Sequence, residues 1–210
     1  MSLVIFDLDG TLVDSLEDLY LAVDHALREH GLPPRSREEV LSYIGEGAAR
    51  LVGRAVAPAD HLLEPVLASW RAHYEGHLLD HTRLYPGMAS VLASATVPMA
   101  VHTNKPGAMA RRILDGLGVR SRFLRVVGGD DAPRKPDPTG VLSLMQEAGA
   151  AAAEAVLVGD SGVDLATAAA AGIRFLPVSW GFVPAGDLAR LGARGFLQDP
   201  ADLLPWVQGR

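Results

Sequence analysis

The sequence predicts an α/β fold with a doubly wound parallel sheet and an inserted helical segment. Short apolar runs that do not alternate with polar residues are typical of strands buried in a parallel sheet. Such runs occur at Leu3–Phe6, Val97–Val101, Leu124–Val127, Ala155–Val158 and Arg174–Val178. Helical patterns follow them, and this alternation favours a doubly wound sheet. The first two runs are separated by about 90 residues, far more than a crossover needs, so we expect an insertion there.

The helices that connect the predicted strands have recognisable ends. Proline is tolerated in a first helical turn, and glycine suits the position just after a last turn. Pro106 and Pro138 stand at such starts, and Gly118, Gly149 and Gly172 stand at such ends. We therefore expect helices over Gly87–Ala95, Pro106–Leu117, Pro138–Glu147 and Val163–Ala171.

The inserted segment also has helical patterns. Ser15 with Asp18 predicts a capped start for a helix over Leu16–His30, and Ser36 with Glu39 has the spacing of a capping box. Two more patterns follow, over Ala48–Ala57 and Ala59–Leu78. We predict two units, a sheet core formed by residues 1–14 and 83–210 and a helical cap formed by residues 15–82.

The composition excludes several kinds of site and partner. The chain of 210 residues has no cysteine, which excludes disulfides, thiolate metal sites and a cysteine nucleophile. Its formal net charge of −6 gives no reason to expect nucleic acid or an anionic membrane as a partner. No apolar run reaches the roughly 20 residues that span a bilayer, and no signal peptide precedes the first strand. We expect a cytoplasmic protein.

Four polar clusters follow the predicted strands. They are Asp7-x-Asp9, Thr103-Asn104-Lys105, Arg134-Lys135-Pro136-Asp137 and Gly159-Asp160-Ser161-Gly162-Val163-Asp164. In open α/β sheets, ligands bind outside the carboxyl ends of the strands. Because four independent clusters meet that condition, we expect them to form one site.

The residue types in these clusters fit phosphoryl transfer, which depends on positioning and on stabilising negative charge. Asp7 suits a nucleophile that forms an aspartyl phosphate. Asp160 and Asp164 supply the oxygen ligands that Mg²⁺ prefers, and Lys135 supplies a point charge for a phosphoryl oxygen. Thr103 and Asn104, in the second cluster, supply neutral hydrogen-bond donors for the phosphate.

With these four clusters, the chain resembles the haloacid dehalogenase superfamily of phosphatases, whose four motifs it matches in order. The resemblance implies a Rossmann-like core with sheet order 5-4-1-2-3 and a helical cap. It implies that Asp7 is the nucleophile, that Asp9 is first general acid and then general base, and that Thr103 and Lys135 bind phosphate. It also implies Mg²⁺ held by Asp7, the Asp9 carbonyl and Asp160, with Asp164 nearby. Many members have Asn where this chain has Val163, which raises the question of how Asp164 is hydrogen-bonded.

Within that superfamily the chain is similar to the phosphoglycolate phosphatases. This similarity implies a small phosphorylated metabolite as the substrate, and we expect a monomer or a homodimer. The similarity rests on four segments, which are Ile44-Gly45-Glu46-Gly47-Ala48, Tyr85-Pro86-Gly87, Thr103-Asn104-Lys105-Pro106 and Gly128-Gly129-Asp130-Asp131. It implies that the cap loop of Gly45, Glu46 and Gly47 contacts the non-phosphate end of the substrate. The alternatives are a sugar-phosphate phosphatase, a β-phosphoglucomutase-like phosphomutase and a regulatory phosphate-binding domain.

Several other polar residues have competing interpretations. The chain uses 17 arginines but only two lysines, Lys105 and Lys135, which favours a functional role for Lys135. For Lys105, a solvated side chain and a ligand contact remain equal alternatives. Asp137 is expected to cap the following helix. Asp130 and Asp131 are interpreted as loop residues, with the orientation of Lys135 by one of them as the alternative. His73 and His77 are interpreted as surface positions on a helix.

Overall fold

The computed structural model describes residues 3–209 and confirms the α/β class. Over this range the strands are β1 (Leu3–Phe6), β2 (Val13–Asp14), β3 (Arg83–Leu84), β4 (Met99–His102), β5 (Val126–Val127), β6 (Ala155–Gly159) and β7 (Arg174–Pro177). Five of them form a parallel sheet in the order β5-β4-β1-β6-β7. When only these five are numbered along the chain and the sheet is read from the β7 edge, the order is 5-4-1-2-3, as the resemblance implies.

The helices follow the predicted alternation, with ends shifted by one or a few residues. They are α1 (Leu16–Glu29), α2 (Arg37–Tyr43), α3 (Ala48–Val56), α4 (Leu63–Gly76), α5 (Met88–Ala93), α6 (Gly107–Gly116), α7 (Thr139–Ala148), α8 (Gly162–Ala171), α9 (Ala185–Arg190) and α10 (Leu204–Val207). The last two follow the final strand, where the sequence patterns did not indicate helices. No helix within residues 3–209 is both long enough and apolar enough to cross a membrane.

Strand β1 is buried on both faces, which explains its continuous apolar run. Val4 and Phe6 contribute to one hydrophobic cluster, and Leu3 and Ile5 contribute to another on the opposite face. Helices cover both sides of the sheet, as expected for a doubly wound fold. Asp7 follows directly, and its N–H still donates to the Val158 carbonyl oxygen at 2.9 Å. Asp7 therefore lies at the carboxyl edge of the sheet.

Helices α1 to α4 lie between β2 and β3, two short strands that the sequence patterns did not indicate. These strands pair antiparallel, with Val13 opposite Leu84 and Asp14 opposite Arg83. They thus join the two points at which the predicted cap begins and ends. The division into a core and a cap stays a prediction, and this pair of strands is its structural support.

The predicted cap of helix α1 is wrong, whereas that of α2 is confirmed. Ser15 has φ −115° and ψ 8°, so it lacks the extended conformation of a capping residue, and its side chain makes no capping bond. Ser36 is extended, and it forms a reciprocal capping box with Glu39 at 3.1 and 2.7 Å. Ser15 and Asp18 bond elsewhere.

Asp18 ties helix α1 to the segment that returns to the sheet. Its carboxylate accepts hydrogen bonds from the N–H of His81 at 2.9 Å and from the N–H and hydroxyl of Thr82 at 2.8 and 2.7 Å. Asp18 and Thr82 are both buried. Because Thr82 is buried, its N–H and its hydroxyl have no access to water and depend on the Asp18 carboxylate as their acceptor.

We expect Asp18→Ala to lower the free energy of unfolding by about 3 kcal/mol, because it leaves several buried donors without an acceptor. Urea denaturation of the purified variant measures this loss. Glu17→Ala is the matched control on the same helix, since Glu17 is half-buried and its ion pair among the described residues is a surface pair with Arg37. Its effect should stay within about 0.5 kcal/mol. Equal effects of the two substitutions would contradict the structural role of Asp18.

Candidate active site

The four predicted clusters meet at the carboxyl edge of the parallel sheet. Asp7 follows β1, Thr103 follows β4, Lys135 lies in the loop beyond β5, and Asp160 follows β6. The Lys135 Nζ lies 2.8 Å from Oδ1 of Asp7. Carboxylate oxygens of Asp7, Asp160 and Asp164 lie within 4.8 Å of one another. Residues that are up to about 150 positions apart are thus assembled by parallel strands that end at one edge.

A tight turn after β1 presents Asp7 to the site. Its Oδ1 accepts the N–H of Leu8 at 2.7 Å, which orients the carboxylate. Gly10 has φ +82°, and a Cβ at this position would lie 2.4 Å from Oδ2 of Asp160. Only glycine meets both demands, the left-handed backbone and the close approach of a neighbouring carboxylate.

The three clustered carboxylates have the properties of a divalent-cation site. Asp7, Asp160 and Asp164 are all buried, and one ammonium, that of Lys135, lies among them. Burial, together with the neighbouring carboxylates, raises the pKa of Asp7 to about 8 and that of Asp160 to about 7. A divalent cation would balance this excess of negative charge, and hard oxygen ligands suit Mg²⁺. The residues present therefore fit the metal that the resemblance implies.

Lys135 bridges two of these carboxylates. Its Nζ donates to Oδ1 of Asp164 at 2.7 Å and pairs with Asp7 at 2.8 Å. Burial alone lowers the pKa of Lys135, but Asp164 and Asp7 outweigh it and hold the pKa above its ordinary value. The ammonium is therefore charged and fixed beside the proposed nucleophile.

Asp130 and Asp131 do not orient Lys135, contrary to one interpretation of the sequence. Asp130 accepts the N–H of Gly107 at 2.6 Å, whereas Asp131 accepts that of Gly128 at 2.9 Å and pairs with Arg111. Both therefore stabilise the loop between β5 and the Lys135 segment. Asp137 accepts the N–H of Thr139 at 2.9 Å, which supports its predicted position as a cap at the start of α7.

The Asn104 side chain bonds two neighbouring backbone segments, those of Gly45 and Lys135, and does not present a free amide to the site. Its Nδ2 donates to the carbonyl oxygens of Gly45 at 3.1 Å and Lys135 at 3.2 Å, and its Oδ1 accepts the Lys135 N–H at 2.8 Å. These bonds occupy both amide donors, so the predicted role of this side chain as a phosphate donor does not match the described geometry. Thr103 is buried and lines the pocket beside Asp7, which matches its predicted place.

Asp164 belongs both to the site and to the start of helix α8. Its Oδ2 accepts the Ser161 hydroxyl at 2.5 Å and the Ser161 N–H at 3.2 Å. The Ser161 hydroxyl oxygen accepts the Asp164 N–H, which completes a capping box. Its Oδ1 is bound by Lys135. Asp164 therefore needs no hydrogen-bond donor from position 163, where this chain has Val163, because Ser161 and Lys135 supply the donors.

The Asp9 carboxylate lies apart from the carboxylate cluster and has its own partners. It accepts the Ser15 hydroxyl at 2.5 Å, and both of its oxygens accept from the Lys105 Nζ at 2.9 Å. This position is consistent with the expectation that the Asp9 carbonyl, and not its carboxylate, faces a metal. Lys105 is buried, so the solvated interpretation of this lysine is wrong.

A pocket between the sheet edge and the cap helices opens onto these residues. Asp7, Asp9 and Thr103 line one side, and cap residues line the other. Gly45 and Gly47 are among the lining residues, and the implied contact of their loop with the substrate stays a prediction. Glu46 is not among them, and its carboxylate pairs with Arg54 on the surface of the cap.

Some contacts that secure the site are not indicated by the sequence motifs. Thr11 donates its hydroxyl to Asp160 at 3.2 Å, and the Phe182 N–H donates to the same carboxylate at 2.7 Å. Trp180 donates its Nε1–H to the Thr11 carbonyl oxygen at 3.1 Å. The loop after β7 thus secures Asp160, a role that only spatial proximity reveals.

Comparison with known proteins agrees with this geometry. Residues 4–178 match the family described as haloacid dehalogenase-like hydrolase. The chain is 40% identical to a phosphoglycolate phosphatase from Rhodospirillum rubrum, with 97% of this chain and 90% of the relative covered. It is also 40% identical to a phosphoglycolate phosphatase from Chromobacterium violaceum, with 88% of each covered.

A solved structure described as a predicted phosphoglycolate phosphatase from Haemophilus somnus superimposes with a TM-score of 0.90. It is 32% identical to this chain, and the match covers 99% of this chain and 98% of the other. A family match over most of the chain, two relatives at 40% identity and a shared fold agree with the four motifs at the sheet edge. The chain therefore belongs to the haloacid dehalogenase-like hydrolase family and is an enzyme.

Proposed function

We propose that this protein is a Mg²⁺-dependent phosphomonoesterase that acts through an aspartyl phosphate on Asp7, with 2-phosphoglycolate as its substrate. The observation that carries the proposal is the buried group of Asp7, Asp160 and Asp164 with the Lys135 ammonium 2.8 Å from Asp7. Such a group suits a reaction that depends on charge stabilisation at a phosphoryl centre. The choice of substrate is supported by the relatives at 40% identity, which are phosphoglycolate phosphatases.

The chemistry divides between the two motif carboxylates. An Asp7 oxygen forms a bond to phosphorus while the bond from phosphorus to the ester oxygen breaks, and Asp9 gives that oxygen its proton. In the second step Asp9 removes a proton from water, the water oxygen bonds to phosphorus, and the bond between Asp7 and phosphorus breaks. Asp7 and Asp9 thereby return to their starting states.

Three further groups serve the phosphoryl oxygens and the cation. Lys135 and the Thr103 hydroxyl are placed to bind phosphoryl oxygens beside Asp7. Asp7, the Asp9 carbonyl and Asp160, with Asp164 beside them, would hold Mg²⁺, which supplies positive charge to the phosphoryl group. Asn104 keeps Lys135 in place through its bonds to that residue's N–H and carbonyl oxygen.

The cap side of the pocket fits a small substrate. Few polar groups line it beyond the sheet edge. Its lining consists mainly of apolar side chains, which are Leu19, Ile44, Ala48, Leu51 and Trp70. Such a lining excludes water from the reacting centre, which protects the aspartyl phosphate from untimely attack. It offers few partners for the hydroxyl groups of a sugar.

A substrate panel tests the proposal. Phosphate release is measured from 2-phosphoglycolate, several sugar phosphates and p-nitrophenyl phosphate, with Mg²⁺ and with a chelator. We expect hydrolysis only with the metal and the highest kcat/KM for 2-phosphoglycolate. Equal rates for sugar phosphates would overturn the substrate assignment, and interconversion of phosphosugar isomers without phosphate release would indicate a mutase. No turnover of any ester would favour a regulatory phosphate-binding domain.

A further inference from the structure

We propose that Lys105 determines substrate specificity by binding a second anionic group, a carboxylate, at the cap end of the substrate. This inference rests on the proposed phosphatase function and names the residue that selects phosphorylated small carboxylic acids over neutral phosphate esters. Three features of the described residues support it: the position of the ammonium, the lack of another cation in the pocket lining, and the unequal use of lysine and arginine.

The Lys105 ammonium is held between the sheet edge and the cap. Its Nζ lies 2.9 Å from both Asp9 oxygens and 4.8 Å from the ring centre of Tyr74 in α4. Tyr74 in turn stacks on Trp70, with ring centres 4.9 Å apart. The cation–π contact and the ion pair fix the ammonium at the pocket wall, where only 4% of its side chain is exposed.

The pocket offers no other positive side chain to an anion at its cap end. Among its described lining residues, Lys105 is the one that carries a cation. Arg54 pairs with Glu46, and Arg134 donates to the Gly129 carbonyl oxygen. Because a carboxylate loses its hydration in an apolar pocket, it needs a charged or hydrogen-bonding partner there. Lys105 is placed to supply that partner.

One ammonium can serve two carboxylates in this site, as Lys135 shows. Lys135 bonds Asp7 at 2.8 Å and Asp164 at 2.7 Å at the same time. Lys105 bonds Asp9 alone among the described carboxylates, so a substrate carboxylate would complete an equivalent arrangement. Burial lowers the pKa of Lys105, but Asp9 outweighs it and holds the pKa above its ordinary value. The side chain therefore stays cationic.

The amino-acid usage supports a specific need for lysine at this position. The chain has 19 basic residues, of which 17 are arginine, and its two lysines are both buried in this site. Lysine provides a compact charge on a flexible stem, whereas the arginine head is a wide planar fork. A compact ammonium suits the narrow space between Asp9 and the ring of Tyr74.

The test compares 2-phosphoglycolate with ethyl phosphate, an ester of similar size whose far end is neutral. For Lys105→Met we expect the ratio of the two kcat/KM values to fall by about 10- to 100-fold, the usual effect of losing a hydrogen bond to a charged group. Loss of the ion pair with Asp9 should change kcat for both esters alike, so the ratio of the two kcat/KM values, and not either rate alone, reports the contact with the substrate carboxylate. Lys105→Arg should retain part of the preference.

Arg125→Met is the matched control, because it removes one positive charge from a surface pair with Glu147, outside the pocket. Its ratio should equal that of the wild type. If Lys105→Met hydrolyses both esters with an unchanged ratio, recognition by Lys105 is overturned while the phosphatase function stands. If the wild type hydrolyses neither ester, the proposed function itself fails.

A binding measurement covers the case in which Lys105→Met is inactive towards both esters. In an Asp7→Asn background, which prevents turnover, titration calorimetry with Mg²⁺ compares the affinities for the two esters. We expect tighter binding of 2-phosphoglycolate in the Asp7→Asn protein and loss of that difference when Lys105→Met is added. A difference that persists in the double variant would overturn the proposal.

Discussion

Asp7→Asn should reduce kcat for phosphate-ester hydrolysis by at least about 10³-fold, the scale expected when a nucleophile is removed. The amide has nearly the shape of the carboxylate but cannot attack phosphorus. Steady-state phosphate release with saturating Mg²⁺ measures the loss. Asp80→Asn is the control, since Asp80 is an exposed carboxylate that pairs with His77 on the cap, and it should retain wild-type activity. Full turnover by Asp7→Asn would refute the assignment of the nucleophile.

The same substitution should stabilise the metal-free protein, and increasingly so as the pH rises. Burial raises the pKa of Asp7 to about 8 in the folded state, against 3.8 for the ordinary group. Between those values the folded state binds a proton that the unfolded state releases, so raising the pH lowers the stability of the wild type. The amide does not titrate, so the variant avoids the loss of stability that comes from ionising the buried Asp7. That loss is fully present above about pH 8.

Urea unfolding in the presence of a chelator measures this effect at pH 5.5 and at pH 8.5. We expect Asp7→Asn to exceed the wild type in unfolding free energy by more at pH 8.5. Mg²⁺ should reduce the difference, because it balances the ionised carboxylates of the wild type and stabilises the state that binds it. A variant less stable than the wild type at both pH values would contradict the charge-repulsion argument.

Lys135→Met should be the most damaging substitution for the metal-free fold. At pH 8.5, where Asp7 is ionised, it leaves the carboxylates of Asp7 and Asp164 buried without their shared cation, and removing one partner of a buried ion pair costs about 3–5 kcal/mol. It should also lower activity strongly, because the ammonium beside Asp7 is lost. Urea denaturation and phosphate release measure the two effects separately.

A double-mutant cycle distinguishes charge balance from lost packing. Because Asp7→Asn removes one of the two unpaired carboxylates, adding it to Lys135→Met should recover part of the lost stability. Mg²⁺ should also recover part of it, since the cation replaces the missing charge. Unfolding free energies for Lys135→Met equal to those of the wild type would refute the role of Lys135 as counterion.

The chemistry-bearing residues were largely predictable because their motifs are local and follow apolar runs. Asp7 comes directly after a strand whose four residues are all buried, so its place at the sheet edge follows from the pattern. The role of Asn104 was not predictable, because its amide donors are occupied by Gly45 and Lys135, which lie 59 and 31 positions away. Ser15 had the spacing of a cap, but its backbone conformation and its bond to Asp9 decided otherwise.

The sequence by itself determined the α/β class, because strand burial is a local property, and its resemblance to the family implied the sheet order. It also indicated which carboxylates to expect at the sheet edge, because their motifs follow the strands directly. Only the tertiary structure decided how the charges are paired. It placed Lys135 between Asp7 and Asp164, and Lys105 between Asp9 and the ring of Tyr74. Such pairings depend on distances between residues from different strands and helices, which spacing along the chain does not encode.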